Sequence, residues 1–231
     1  MEYKEFEFLR GKLRLRQPVK GHRLSIVEVL FVYFARGIKR KSKVLDLGAG
    51  FGALSLLLTL RYGCRVWALE RDKDMLELLH YNVQVNGLLD KITPVEGDLR
   101  YIDKLFQKQT FDVVIANPPF FKDGFPKKYH FETDTKLEDF VRAASYVMKD
   151  GGYFNVILPA HRLTELVTIS IYNKLSPCNM KILYSKENKP AKYIIVTCIK
   201  NSRCLTSIEY PFFMDTQNTK SVLQSFCDII T

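Results

Sequence analysis

The tetrapeptide Asn117-Pro118-Pro119-Phe120 closes the apolar run Phe111-Asp112-Val113-Val114-Ile115-Ala116. Its residue types suit chemistry on an amino group held in a plane. The lone pair of such a nitrogen is conjugated into a ring or a carbonyl and is a poor nucleophile. Two acceptors on its protons, the side-chain oxygen of Asn117 and the backbone carbonyl of Pro118, would draw the lone pair out of the plane. Consecutive prolines fix the turn, so the acceptors are preorganised. Phe120 can stack on a flat substrate, worth roughly 1–3 kcal/mol for a base. The proton can leave after the transfer, so neither a metal nor a general base of unusual pKa is called for. A purely structural reading makes Asn-Pro-Pro a turn and Phe120-Phe121 core. The position of the motif after a strand pattern, downstream of three well-spaced acids, argues against it.

Those acids form the second constellation. Val44-Leu45-Asp46-Leu47-Gly48-Ala49-Gly50-Phe51-Gly52 reads as a glycine-rich turn between a strand and a helix. There the backbone can approach a ligand closely and offer amides at the helix N-terminus. Glu70, followed by Arg71, ends the next strand pattern, where a carboxylate can accept both hydroxyls of a ribose. Asp98, followed by Leu99, comes after the third strand pattern, placed to accept from an adenine amino group. Asp46, just before Gly48, Ala49 and Gly50, can take the amino-acid end of a cofactor, directly or through water. Separately, each acid could bond to loop amides or cap the next helix or turn. All three fall at strand carboxyl ends, where open α/β sheets bind ligands. A dinucleotide dehydrogenase is the rival, but its GxGxxG fingerprint is absent because Ala53 stands at the last position.

Positioning these residues requires alternating strands and helices. Lys43 to Leu47, Arg65 to Leu69, Ile92 to Glu96, Phe111 to Ala116 and Tyr153 to Leu158 read as strands. Gly52 to Tyr62, Lys73 to Asn86, Leu137 to Met148 and Arg162 to Leu175 read as helices. Met180 to Tyr184 and Tyr193 to Lys200 read as a hairpin around a polar loop. Such alternation predicts an α/β fold with a mostly parallel sheet and helices on both faces. Ahead of it, Lys12 to Pro18 alternates as a half-exposed strand. Ser25 caps a helix from Ile26 to about Arg36, with Glu28 completing a capping box. A weak helical pattern, Ser221 to Ile230, ends the chain.

With 231 residues, 47% of them hydrophobic, the chain can build one sizeable core. The expected organisation is a single domain, 1–231: an N-terminal strand and helix extension at 1–42, a core at 43–200 and a tail at 201–231. No apolar run reaches the ~20 residues of a membrane span and the charged N-terminus leads into no signal segment, so a cytoplasmic protein without membrane association is expected. The five cysteines are odd in number, scattered and without a CxxC pair, which points to neither a disulfide framework nor a zinc site. Lysine and arginine total 35 against 25 acids, a formal charge of +10. That favours a polyanionic partner, although a solvated basic surface has the same composition.

The motifs resemble those of class I methyltransferases. The resemblance implies S-adenosyl-L-methionine as cofactor, a Rossmann-like seven-stranded sheet of order 3-2-1-4-5-7-6 with strand seven antiparallel, and cofactor contacts from Asp46, Gly48, Ala49, Gly50, Glu70, Arg71, Asp98, Leu99 and Asn117. The chain to about Asp215 further resembles the bacterial tRNA(Val) adenine N6-methyltransferases, which modify adenine 37 beside the anticodon. Gly21-His22-Arg23-Leu24-Ser25, Asn117-Pro118-Pro119-Phe120-Phe121, Leu137-Glu138-Asp139-Phe140-Val141-Arg142-Ala143-Ala144 and Lys189-Pro190-Ala191-Lys192 carry it. This family usually has an Asp in the first helix where the chain has Val27, with Glu28 beside it. It often shows Arg-His-Glu where the chain has His130-Phe131-Glu132, and Phe120 replaces a Tyr. The implied catalytic residues are Asn117, Pro118, Pro119 and Phe120. The implied partner is tRNA, through its anticodon stem-loop, held by Phe120, Lys122, Lys127, Lys128, Lys189 and Lys192. Basic and aromatic residues interleaved at 121–135 suit an unpaired RNA loop, as they would a solvated lid. Asn-Pro-Pro-Phe/Tyr also occurs in enzymes that methylate the glutamine of release factors. That substrate, or a non-catalytic RNA-binding role, stays open.

Overall fold

The computed structural model of the protein describes residues 2–119 and 135–229. A hairpin of β1 (Tyr3–Phe8) and β2 (Leu13–Pro18) precedes helix α1 (Ile26–Phe34). Then come β3 (Lys43–Leu47), α2 (Ala53–Tyr62), β4 (Arg65–Glu70), α3 (Lys73–Val85) and β5 (Ile92–Glu96). A short α4 (Ile102–Leu105), β6 (Phe111–Ala116), α5 (Leu137–Val147), β7 (Met148–Pro159) and α6 (Leu163–Tyr172) follow. The chain closes with β8 (Leu175–Tyr184), β9 (Ala191–Lys200), two-residue strands β10 (Ser207–Ile208) and β11 (Phe212–Phe213), and α7 (Thr216–Cys227).

The main sheet runs β5-β4-β3-β6-β7-β9-β8. Neighbours from β5 to β7 are parallel, while β9 lies antiparallel to both β7 and β8. Side chains alternate across it with the two-residue period of a strand. Val44 of β3 and Val113 and Ile115 of β6 enter a core shared with α1, α2 and α7. Leu45 and Leu47 of β3 and Val114 and Ala116 of β6 enter the opposite core, shared with α5 and α6. The same alternation puts Asp46 on the α2 side and carries Asn117, next after Val113 and Ile115, toward α1.

α1 starts as its sequence predicts. Ser25 Oγ accepts from the Val27 amide at 3.2 Å, and Glu28 Oε2 accepts from the Ser25 amide at 3.0 Å. Buried Asn155 of β7 fixes the far end, with Oδ1 accepting from the Arg36 amide at 2.8 Å and Nδ2 donating to the Arg36 carbonyl at 3.0 Å. Asn82 of α3 ties the hairpin to the glycine turn. Its Nδ2 donates to the carbonyls of Arg16 and Phe51, both at 2.8 Å.

Three expectations are corrected. Among the described residues the sheet has nine strands rather than seven, because β10 and β11 from the tail pair in parallel with β8. They cover the edge that β8 would otherwise present; strands of two residues carry no readable alternation. β7 begins at Met148, the final residue of the expected helix. Cys178 and Cys204, in a sequence whose cysteines point to no disulfide framework, form a disulfide with Cα atoms 5.5 Å apart. The tail running along β8 brings together two residues that are 26 positions apart in sequence.

Candidate active site

Gly48, Ala49, Gly50, Glu70, Arg71, Gly97, Leu99, Asn117, Pro118 and Pro119 line one cleft at the carboxyl edge of the sheet, joined by His22 and Glu28. The turn after β3 bends back over β4, and the amides of Gly48 and Ala49 both donate to the Leu69 carbonyl, at 3.0 and 2.9 Å. Gly50 holds φ at +57°, and a side chain there would meet no atom within 4 Å. It presents bare backbone to the open cleft.

Glu70 is 9% exposed. Its Oε2 accepts from the Gly50 amide at 2.7 Å, and its Oε1 from the amides of Arg71 and Asp72, each at 2.8 Å. Burial raises its pKa, and those three amides oppose the rise. Asp46 lies one layer deeper, fully buried beneath the turn. Its Oδ2 accepts from Ser55 Oγ at 2.7 Å, while Oδ1 has no hydrogen-bond partner among the described residues. Burial, with Glu70 adding like charge, pushes its pKa up to about 7. Asp98 accepts from the Arg100 amide at 2.9 Å and from its guanidinium, and Arg71 stands 3.6 Å away. Burial pushes the Asp98 pKa up, but these contacts outweigh it and the net shift is downward. Its neighbours Gly97 and Leu99 reach the cleft wall; the carboxylate itself caps the turn after β5.

Asn117 follows β6. Its Nδ2 donates to Glu28 Oε1 at 3.3 Å, and its Oδ1 is buried with no partner among the described residues. The Pro119 carbonyl accepts from Arg162 Nη1 at 3.4 Å; Arg162 comes just after the end of β7 and is 5% exposed.

The methyltransferase small domain family matches residues 28–177, from Glu28 of α1 into β8. The chain belongs to that family. A tRNA1(Val) (adenine(37)-N6)-methyltransferase of Phocaeicola vulgatus is 26% identical over 159 residues, which is 66% of this chain and 67% of the relative. Among solved structures, a predicted O-methyltransferase from Agrobacterium tumefaciens superposes with a TM-score of 0.71 at 20% identity, covering 86% of this chain and 96% of that one. A geranyl diphosphate methyltransferase solved with S-adenosylmethionine gives 0.57 at 12% identity, covering 78% and 86%. At these identities the two structures speak for the fold.

The methyltransferase fold brings most of the expected residues together. Phe120, Lys122, Lys127 and Lys128 lie outside the described residues, as do Tyr129, His130 and Glu132. Lys189, in the β8–β9 turn, and Lys192, near the start of β9, are exposed. Tyr193 of β9 is in register with Pro159 of β7, three residues past the Val156–Ala116 pair. The two lysines therefore share the sheet edge that carries Asn117, though they do not line the cleft. Sequence reasoning missed His22, Arg162 and the inward role of Glu28. Glu28 satisfies a capping pattern that uses one of its oxygens and says nothing of the other. Its three-residue spacing from Ser25 carries no sign of Asn117, 89 positions on. Val27, in the position where an Asp was expected, is core.

Proposed function

We propose that this methyltransferase transfers a methyl group from S-adenosyl-L-methionine to the N6 amino group of an unpaired adenine in tRNA, at the position beside the anticodon. The observation that carries the reading is the Asn117 side chain. Its buried Oδ1 has no partner among the described residues, and Asn117 lines the same cleft as Glu70 and the glycine turn. A buried carbonyl without a donor costs about 1–3 kcal/mol, and an amino proton of the substrate would satisfy it. Relatives named for adenine-37 methylation support the choice of base and RNA.

The residues present fit the cofactor. Asp46 Oδ1, also lacking a partner among the described residues, suits an ammonium group approaching through the glycine turn. Bare backbone at Gly48 and Gly50 admits the ligand closely, Glu70 stands where ribose hydroxyls can donate, and Leu99 with Arg71 walls the adenine side. Asp98 keeps that wall in place through Arg100 and has lone-pair capacity left for the adenine amino group. When bound, S-adenosylmethionine supplies an electrophilic methyl on a sulfonium.

Asn117 Oδ1 and the Pro118 carbonyl accept the two amino protons and turn the nitrogen lone pair out of the base plane. Fixed acceptors of this kind need no reorganisation when positive charge develops on nitrogen. Arg162, bonded to the Pro119 carbonyl, holds the turn. Phe120 stacks on the base, and Lys122, Lys127, Lys128, Lys189 and Lys192 meet phosphates. The adenine must leave any stack to enter the cleft.

The test is transfer of labelled methyl into separate pools of unmodified tRNA, ribosomal RNA and release factor. Label recovered from tRNA as N6-methyladenosine is expected. Label confined to the release factor would overturn the substrate and leave the amine chemistry standing.

A further inference from the structure

We propose that Glu28 is the positioning residue for Asn117: its carboxylate fixes which end of the Asn117 amide faces the substrate amine. The inference rests on the role given to Asn117 above and names the device that makes it work.

Glu28 is 3% exposed. A carboxylate this buried is costly unless its oxygens are well used. One oxygen is used locally: Oε2 accepts from the Ser25 amide at 3.0 Å and from Ser25 Oγ at 2.6 Å. That pins the carboxylate and aims Oε1 across the gap between α1 and the end of β6, where Asn117 Nδ2 donates to it at 3.3 Å. His22 Nε2 stands 3.4 Å from the same oxygen. Tyr193 of β9 is near enough that its phenol, pushed up first by burial, is pushed further by the Glu28 charge.

An ionised carboxylate only accepts hydrogen bonds. The Asn117 atom facing it must therefore be the amide nitrogen, and Oδ1 is forced the other way. With the amide turned over, two acceptors would oppose each other in a buried gap. Capping alone does not explain a carboxylate here, since a glutamine closes the same capping box. The second oxygen is the part that capping leaves over, and it is the part Asn117 meets.

Glu28→Gln is thus the informative substitution. It keeps the volume and can keep the cap through its carbonyl, but it then presents an NH2 to Asn117 and favours the turned-over amide. The expected result is a fall in kcat of about 100-fold, in the range for losing one preorganised hydrogen-bonding group. The cofactor Kd, the KM for RNA and the Tm should stay near wild type. Val29→Ala removes buried packing from the same helix instead and should lower the Tm while leaving kcat within a few-fold. Wild-type kcat in Glu28→Gln would overturn the proposal. So would kcat and Tm falling together in both variants, which is what a merely structural glutamate predicts. A loss in Glu28→Gln that recovers at raised pH would assign the carboxylate to proton removal and equally overturn it. Wild-type protein inactive on tRNA but active on release factor would sink the RNA reading alone, and the same comparison would then be read on that substrate.

Discussion

The Gly50 amide donates to Glu70 Oε2 at 2.7 Å, which makes the glycine turn after β3 and the acid ending β4 one unit. Glu70 also gathers the amides of Arg71 and Asp72. The turn is thereby built before any ligand arrives, and loss of Glu70 would remove its shape together with the ribose contact proposed above. Hydrogen bonds to a charged group are worth about 1.5–3 kcal/mol each. Glu70→Ala should weaken S-adenosylmethionine binding by roughly 10- to 150-fold, measured by calorimetry. Unchanged affinity would refute the ribose assignment. Asp98→Asn, whose caps and ion pairs lie beside the cleft, should weaken it less.

Asp46 makes stability depend on pH in an unusual direction. Its folded pKa of about 7 lies above the ordinary 3.8. Between those values the folded state holds a proton that the unfolded chain has released, so stability falls as pH rises through the window. Glu70 is shifted the same way, whereas Asp98 and Asp112, held down by basic partners, pull oppositely. Asp46→Asn removes only the first contribution. Its Tm should exceed that of wild type at pH 8 by several degrees, with the gap closing toward pH 4. A constant gap across that range would show that the Asp46 carboxyl is not shifted.

Gly52 caps the start of α2 at a φ of +90°, and a Cβ there would come within 2.4 Å of Leu79 Cδ1 in α3. Gly52→Ala should therefore cost about 1–3 kcal/mol from overpacking and roughly 1–2 kcal/mol more from the left-handed backbone. Urea denaturation should show a lower midpoint at an unchanged slope. An unaltered midpoint would mean that the α2–α3 packing is looser than the geometry states.

The paired substitution Lys189→Ala and Lys192→Ala tests the basic turn on the sheet edge that carries Asn117. For every phosphate that one of these lysines neutralises, its removal should lower the salt-dependence slope of tRNA binding by about 1. Cofactor affinity should not change. An unaltered slope would remove the turn from the RNA footprint.

The parallel core was legible because fully buried strands read as apolar runs between glycine-stopped helices. β3 and β6 fall at Lys43–Leu47 and Phe111–Ala116, as their patterns predict, and β5 falls at Ile92–Glu96 although it lies at the sheet edge with only Ile92 buried. The glycine turn and Glu70 were legible from strand ends alone. Contacts that depend on two distant segments were not. Glu28 meets Asn117 because the first turn of α1 lies beside the residue that follows β6, and Arg162 reaches Pro119 from just after the end of β7. Asp98 was read as facing a ligand, while the fold gives its carboxylate first to Arg100, two residues away. The tail escaped because Ser207–Ile208 and Phe212–Phe213 pair only with β8, and β8 supplies the order that their own sequence lacks.

The most direct measurement compares wild type with Asn117→Ala, using labelled S-adenosylmethionine and unmodified tRNA digested to nucleosides. Wild type should place label in N6-methyladenosine. Asn117→Ala should lose that label by about 100-fold or more while binding the cofactor within a few-fold of wild type. Undiminished N6-methyladenosine from Asn117→Ala would contradict the role given to the Asn117 amide oxygen, on which the assignment rests.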